Sequence, residues 1–421
     1  MERFHGLIGI VAILLIAYLM SDNRKKIRAR IVFWGLGLQL VFGLFMLKTE
    51  IGRDIFENVR IAAEKCLDFT KEGSNFVFGS LCPLPGEAPG EAIGFNMAFQ
   101  CLTTIIFFSA LMSVLYHLGL MQLIVRFFAT IMRKTMGTSG AESLSAAGNI
   151  FVGQTESPLL IRPFIKEMTR SELAAVMTCG FATIAGSVFV LYVSVGISAG
   201  HLLTASVMSA PAALMIAKIM FPEWEESKTM GHAKVPMKRE TLNVVDAAAS
   251  GAAVGVKLAI NVAAMLLAFV ALLALINWSL GELGQGLEWI FGDIFPGDTS
   301  LSLAMIFGWV FWPLAWGLGI TPSDAAFMGD LIGTKLSLNE LIAFNKLAEA
   351  QAAEAISEKT VTVATYALCG FANFSSIAIQ IGGIGGLAPE RRGDLAKLGI
   401  KTMLAGAFAS LTTAALAGIL I

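Results

Sequence analysis

Apolar residues fall in long runs along this chain, separated by short polar or charged stretches. A bilayer crossing needs about 20 mostly apolar residues. Runs of that kind cover roughly 4–21, 31–48, 95–118, 172–198, 202–221, 254–278, 361–384 and 398–420. Two further apolar stretches lie at 119–132 and 300–318. Residues 51–66 read instead as an amphipathic helix lying in the membrane interface. Residues 4–20 have the length of a signal peptide, but no basic region precedes them and no small-residue cleavage site follows. They are expected to be a retained membrane helix.

Composition supports the pattern. Of the 421 residues 56% are hydrophobic and 14% charged, and mean hydropathy is +0.73. Soluble domains are about one quarter charged. A soluble core of this size has no room for so much apolar surface, so a lipid bilayer must act as solvent. The net charge of −1 leaves no electrostatic footprint for nucleic acid. Five cysteines show no paired metal-ligand spacing, and the four histidines are scattered. Cys179 and Cys369 lie in apolar runs, where packing is the simple reading. Cys66 and Cys82 would face an oxidising compartment, which leaves a disulfide between them open. An intramembrane enzyme is disfavoured, since no Ser/His or His/Cys constellation is visible.

Lysine and arginine set the orientation. Arg24, Lys25, Lys26, Arg28 and Arg30 make the first connection cytoplasmic. Residues 126–170 carry Arg126, Arg133, Lys134, Arg162, Lys166 and Arg170, and 222–240 carry Lys228, Lys234, Lys238 and Arg239, both cytoplasmic. Residues 279–299 hold Glu282, Glu288, Asp293 and Asp298 without Lys or Arg, which suits the outside. Were 300–318 to cross, Arg391, Arg392 and Lys397 would fall outside. It is therefore expected to lie along the interface, anchored by Trp309, Trp312 and Trp316. The expectation is an all-α membrane protein of eight spans with both termini outside.

The chain also repeats itself. Cys179-Gly180-Phe181-Ala182 recurs as Cys369-Gly370-Phe371-Ala372, each inside a spanning run. Upstream of each lies a broken segment with an acid, Gly153-Gln154-Thr155-Glu156 in one case and Gly333 to Glu340 in the other. Upstream again lies an interfacial candidate, 119–132 or 300–318. By the charge rule the two copies run in opposite directions, and inverted repeats mark secondary transporters with a site near the midplane. The expected organisation is scaffold helices over 1–94, a first repeat over 95–221 with a re-entrant hairpin at about 135–168, and a linker over 222–253. A second repeat covers 254–421, with its hairpin at about 319–357.

The chemistry gathers at the breaks. The segment from Gly148 to Pro158 is too short and polar for a lipid-facing span, and irregular backbone at membrane depth must be buried or line a cavity. Pro158 suits a helix first turn, which places Gln154, Thr155 and Glu156 at a helix N-terminus where dipole and amides favour ligand acceptors. Glu156 and Glu340 are intramembrane carboxylates and candidate functional groups. Backbone bonding of Glu156, or neutralisation of Glu340 by Lys335, is the alternative. Two such acids meeting from opposite faces would grip a polar, uncharged ligand through its hydroxyl and N–H protons. Thr183, Gly186 and Ser187 follow the first tetrad, and Asn373, Ser375 and Ser376 the second. Small and polar residues let a helix unwind and offer carbonyls to a cation, although they also serve helix packing.

Gly153-Gln154-Thr155-Glu156, Asn339-Glu340 and the run from Cys369 to Ile377 resemble the concentrative nucleoside transporter family, over nearly the whole chain. Arg24-Lys25-Lys26, the run Asn75 to Gly79 and the run Phe107 to Leu111 add support. The resemblance implies a homotrimer in the cell inner membrane, each protomer with a scaffold and a transport domain. It implies sodium-coupled symport of nucleosides without an organic cofactor. Gly153, Gln154, Thr155 and Glu156 would face the nucleobase, and Glu340, Asn373 and Ser376 the ribose, with apolar walls from Val188, Leu258 and Phe371. Sodium would lie at the Asn149 and Thr183 side chains and the Val152 and Ile184 carbonyls. A proton-coupled carrier of nucleosides or another polar solute is the alternative.

Overall fold

The computed structural model describes residues 2–82, 97–100, 102–230, 241–291 and 301–421, and among them all regular secondary structure is helical. The N-terminal part holds α1 (Glu2–Leu19), α2 (Ala29–Lys48) and α3 (Glu50–Phe78). Thr49 caps α3 by accepting from the Gly52 amide at 3.0 Å. The helix continues beyond the expected 66 to Phe78. Its few buried positions, Gly52, Ala63, Thr70 and Ser74, are small, while Arg60 pairs with Glu57 and Glu64 on the exposed side.

Two passes through one element order follow. The first contains α4 (Met97–Gln100), α5 (Leu102–His117), α6 (Leu120–Met136), α7 (Gly140–Gly148), a 3-10 turn at Ser157–Ile161 and α8 (Arg162–Ile165). It continues with α9 (Arg170–Ala182), α10 (Gly186–Ser194) and α11 (Ala199–Met220). The second contains α12 (Val244–Phe291), α13 (Leu303–Gly317), α14 (Pro322–Ser337) and α15 (Glu340–Ala352). It ends with α16 (Glu358–Leu368), α17 (Phe374–Leu387) and α18 (Arg392–Leu420). Each pass thus has a leading helix (16 residues in α5, 48 in α12), a helix set at an angle, a helical pair, a span broken in its middle, and an unbroken helix.

Among the described residues five elements are long and apolar enough to cross a bilayer, or up to seven if each bent pair is one span. The bent pairs are α5–α6, at 78°, and α13–α14, at 116°. The helix over 254–278 is longer than expected: α12 has 48 residues, about 72 Å of helix against a hydrocarbon core of about 30 Å. Parts of the expected runs and connections (83–96, 101, 231–240 and 292–300) lie outside the described residues.

Small residues let the helices approach. A Cβ on Gly251 would lie 2.6 Å from the Ser109 carbonyl oxygen, and one on Gly255 2.7 Å from Ile106 Cα, so α12 crosses α5 backbone to backbone. The apolar stretch of α11 is 94% buried while that of α12 is 6% buried. α11 is therefore interior, and the outer face of α12 must meet lipid or another protein.

Each helical pair is tied at its open end. Ser139 and Glu142 form a capping box on α7, and Thr169 and Glu172 form one on α9. Lys218 of α11 reaches between them, 2.7 Å from Glu142 and 3.5 Å from Glu223, and donates to Ser171 Oγ at 2.9 Å. In the second pass Asp324 of α14 accepts from the Ser357 amide at 3.1 Å and from Thr360 Oγ1 at 2.7 Å, joining the start of the pair to the start of α16. Arg391 donates to the carbonyls of Ile165, Lys166 and Met168 at 3.2, 3.0 and 2.8 Å. Asp22 pairs with Arg170 at 3.2 Å and with Lys401. The basic residues 24–30, 162–170 and 391–401 therefore share one end of the molecule. Cys66 and Cys82 are both free thiols, so the open disulfide is not formed. Cys82 Sγ lies 2.9 Å from the Phe99 carbonyl.

Candidate functional site

The two broken spans meet at their breaks. Gly370 has φ +137, a conformation that favours glycine, and an added Cβ would lie 2.7 Å from the Phe181 carbonyl. Ser410 of α18 donates to the Cys369 carbonyl at 2.9 Å and lies 3.5 Å from that of Ala182, so one hydroxyl serves both breaks. The repeated tetrads are thus in direct contact.

Around this crossing a hydrogen-bonded chain links the tips of the two helical pairs. Asn339 caps α15 by accepting from the Ile342 amide at 2.9 Å, which places Glu340 in the first turn. The helix dipole favours a carboxylate there. Glu340 Oε1 accepts from Tyr192 OH and Oε2 from Asn373 Nδ2, each at 3.0 Å. Asn373 is itself the N-cap of α17, its Oδ1 accepting from the Ser376 amide at 2.9 Å. Ser376 Oγ accepts from Gln154 Nε2 at 3.2 Å, and Gln154 belongs to the other tip. Glu156 Oε2 accepts from the Gly153 amide at 3.3 Å. Lys335 donates to the Ala367 carbonyl at 2.8 Å, and among the described residues no ion pair joins it to Glu340. The carboxylate is held by neutral donors and keeps lone pairs for further protons.

A second cluster lies beside the first break. Asn149 ends α7, with Nδ2 donating to the Ser145 carbonyl at 3.0 Å and Oδ1 buried without a partner. Thr183 Oγ1 donates to the Cys179 carbonyl at 2.9 Å, leaving its lone pairs open. Val152 and Ile184 are buried, and the Phe151 carbonyl accepts from the Gly186 amide at 3.0 Å, which draws the tip onto the break. Ser187, one turn beyond Thr183, has another buried oxygen without a partner. Neutral oxygens with unfilled acceptor capacity suit a hard monovalent cation.

Comparison with known proteins gives the family. Residues 201–418 match the family described as the C-terminus of the Na+ dependent nucleoside transporter, residues 8–81 its N-terminus, and residues 98–199 a nucleoside recognition family. The chain belongs to the Na+ dependent nucleoside transporters. It is 45% identical to an uncharacterized transporter of Bacillus subtilis, covering 100% of both chains. It is 43% identical to sodium/nucleoside cotransporter 1 of Mus musculus, covering 100% of this chain and 64% of that one. It superposes on the structure of CNTnw in an inward-facing substrate-bound state with a TM-score of 0.90, at 42% identity, over 100% of this chain and 98% of that one. The resemblance to concentrative nucleoside transporters drawn from the motifs is borne out, and so is the all-helical architecture.

Within this nucleoside transporter family member, Gln154, Glu340, Asn373 and Ser376 form one bonded group, and Asn149, Val152, Thr183 and Ile184 lie around one tip and one break. Thr155 packs on Gly383 of α17, where a Cβ would lie 2.7 Å from its methyl. Val188 is buried on α10 one turn before Tyr192, and Phe371 is half-buried in the second break. Leu258 is half-buried on the face of α12 that carries Gly251 and Gly255, toward α5. Tyr192 and Gln380 escaped the sequence reading. Both are polar groups in apolar runs, and that was the available signal.

Proposed function

We propose that this protein is a sodium-coupled symporter that carries nucleosides into the cell by alternating access. The carrying observation is the bonded chain from Gln154 through Ser376 and Asn373 to Glu340, which joins the tips of two helical pairs at the crossing of two broken spans. In this reading the pairs α7–α8 and α14–α15 are re-entrant hairpins in repeats of opposite orientation. The ribose hydroxyls donate to Glu340 beside Asn373 and Ser376, and the base lies along Gly153, Gln154, Thr155 and Glu156, with Val188, Leu258 and Phe371 as walls. Sodium is the co-transported substrate at Asn149, Thr183 and the carbonyls of Val152 and Ile184. It closes the first tip against its break and so couples ion binding to formation of the base-facing half.

The protein has eight spans in the inner membrane, both termini outside. α6 and α13 lie along the interface with α3, and the basic end shared by residues 24–30, 162–170 and 391–401 supports that orientation. The exposed face of α12 is available to other copies, in keeping with a homotrimer. The decisive experiment is uptake of radiolabelled uridine into proteoliposomes. Accumulation that needs an inward sodium gradient is expected. Accumulation driven equally by a proton gradient in sodium-free buffer would replace sodium by protons, and no uridine uptake under either gradient would remove the nucleoside reading.

A further inference from the structure

Gln380 of α17 is wholly buried and reaches from the second repeat into the first. Its Nε2 donates to the Met177 carbonyl of α9 at 3.1 Å and to Gln154 Oε1 at 2.9 Å. A backbone carbonyl only accepts, so the Gln380 atom facing Met177 is nitrogen. The same nitrogen faces Gln154, so the Gln154 atom receiving it is oxygen. Gln154 Nε2 is thereby turned the other way, onto Ser376 Oγ. One backbone carbonyl thus sets the direction of the whole relay. Gln380 Oε1 is left buried without a partner. Reversing the amide together with that of Gln154 would satisfy it, but would set the Gln380 carbonyl against that of Met177 and strand two N–H donors instead. Gly180 gives the relay room: a Cβ there would lie 2.8 Å from both Gln380 Nε2 and Gln154 Cβ.

We propose that Gln380 is a positioning residue for base specificity: it locks the Gln154 amide with its nitrogen toward the ligand, so that the site reads a hydrogen-bond acceptor on the base. This rests on the reading of Gln154 as a base-facing residue. The Gln154 nitrogen has two protons, one directed to Ser376 and one left for the ligand. Ser376, accepting from Gln154, keeps its own proton to donate. For a pyrimidine nucleoside the group read is a ring carbonyl.

The test is binding calorimetry on the purified full chain in saturating sodium, with four ligands. These are uridine, 3-methyluridine, which lacks the N3–H donor, and the ribosides of pyridin-2-one and pyridin-4-one, which lack N3–H and each keep one of the two carbonyls. In the unmodified protein, the pyridinone riboside that lacks the carbonyl facing Gln154 is expected to bind about tenfold more weakly than the other. In Gln380→Met, which has similar volume and no donor, that penalty should fall below about threefold because the Gln154 amide is free to turn. The step from uridine to 3-methyluridine should be the same in both. Gln380→Glu is the second variant: its carboxyl spends its one proton on the Met177 carbonyl, so it accepts from Gln154 and turns that amide over, and loss of N3–H should cost more than in the unmodified protein. A carbonyl penalty that persists unchanged in either variant overturns the proposal alone, as does an equal loss for all four ligands. If the unmodified protein ignores both carbonyls while still needing the ribose hydroxyls, the base-facing reading of Gln154 fails and takes the proposal with it.

Discussion

At the scale of single residues, the chemistry turns on carboxylates and amides that the bilayer would otherwise exclude. Glu340 sits at a helix N-terminus with one neutral donor on each oxygen, and no direct ion pair holds it among the described residues. A hydrogen bond to a charged acceptor contributes about 1.5–3 kcal/mol. Glu340→Gln should therefore weaken uridine binding about tenfold or more by calorimetry. A nucleoside lacking the ribose hydroxyls should lose little further in the variant, because the bond is already missing. An equal penalty with both ligands would refute the ribose assignment. Asn149→Ala removes the buried Oδ1 that has no partner. It should raise the sodium concentration needed for half-maximal uptake while the protein still elutes as a folded species. Unchanged sodium dependence would rule out this cation site. The acids were legible in the sequence because intramembrane charge is rare. Tyr192 was not, because a tyrosine in an apolar run is equally at home in packing, and only its 3.0 Å bond to Glu340 separates the two uses.

At the scale of elements, the breaks matter more than the helices. The polar residues after each tetrad announced that the two spans would unwind, and they do so at 183–185 and 369–373. What the sequence did not announce is how each helical pair is tied at its far end. Lys218 is buried among Glu142, Glu223 and Ser171 and ties α11 to the starts of α7 and α9. Removing one partner of a buried ion pair costs roughly 3–5 kcal/mol. Lys218→Met should lower the melting temperature of the purified protein by roughly 5–10 °C. Glu142→Gln in the same chain should restore part of that. A melting curve that does not move would show the cluster to be dispensable. The tetrad glycines also part company here. Gly370 is needed for its own backbone conformation, whereas Gly180 is needed for the space beside it.

At the scale of the whole molecule, the two passes through one element order bring the tips of the helical pairs from distant parts of the chain to one crossing. The orientation is testable. Single cysteines placed near Glu288 and at the C-terminus should react with an impermeant thiol reagent added outside whole cells. Cysteines near Lys228 and Arg392 should stay unlabelled. Labelling near Arg392 from outside would mean that α13 crosses the membrane rather than lying along it. The bond from Arg391 to the end of the first hairpin argues for the expected pattern, because it holds Arg391 beside Lys166.

Hydrophobic run length, the placing of lysine and arginine, and the recurrence of Cys-Gly-Phe-Ala determined the all-helical membrane class and singled out the candidate spans, orientation and acids. These are local or periodic properties, set by how each segment partitions between water and lipid, and partitioning can be read from composition. The direction of the Gln380–Gln154–Ser376 relay, the pairing of Tyr192 with Glu340, and the clamp around Lys218 were decided by tertiary structure alone. Each depends on which donor meets which acceptor, over separations of up to 226 positions of chain. A side chain's type states only that it needs a partner; the packing of the two repeats chooses it.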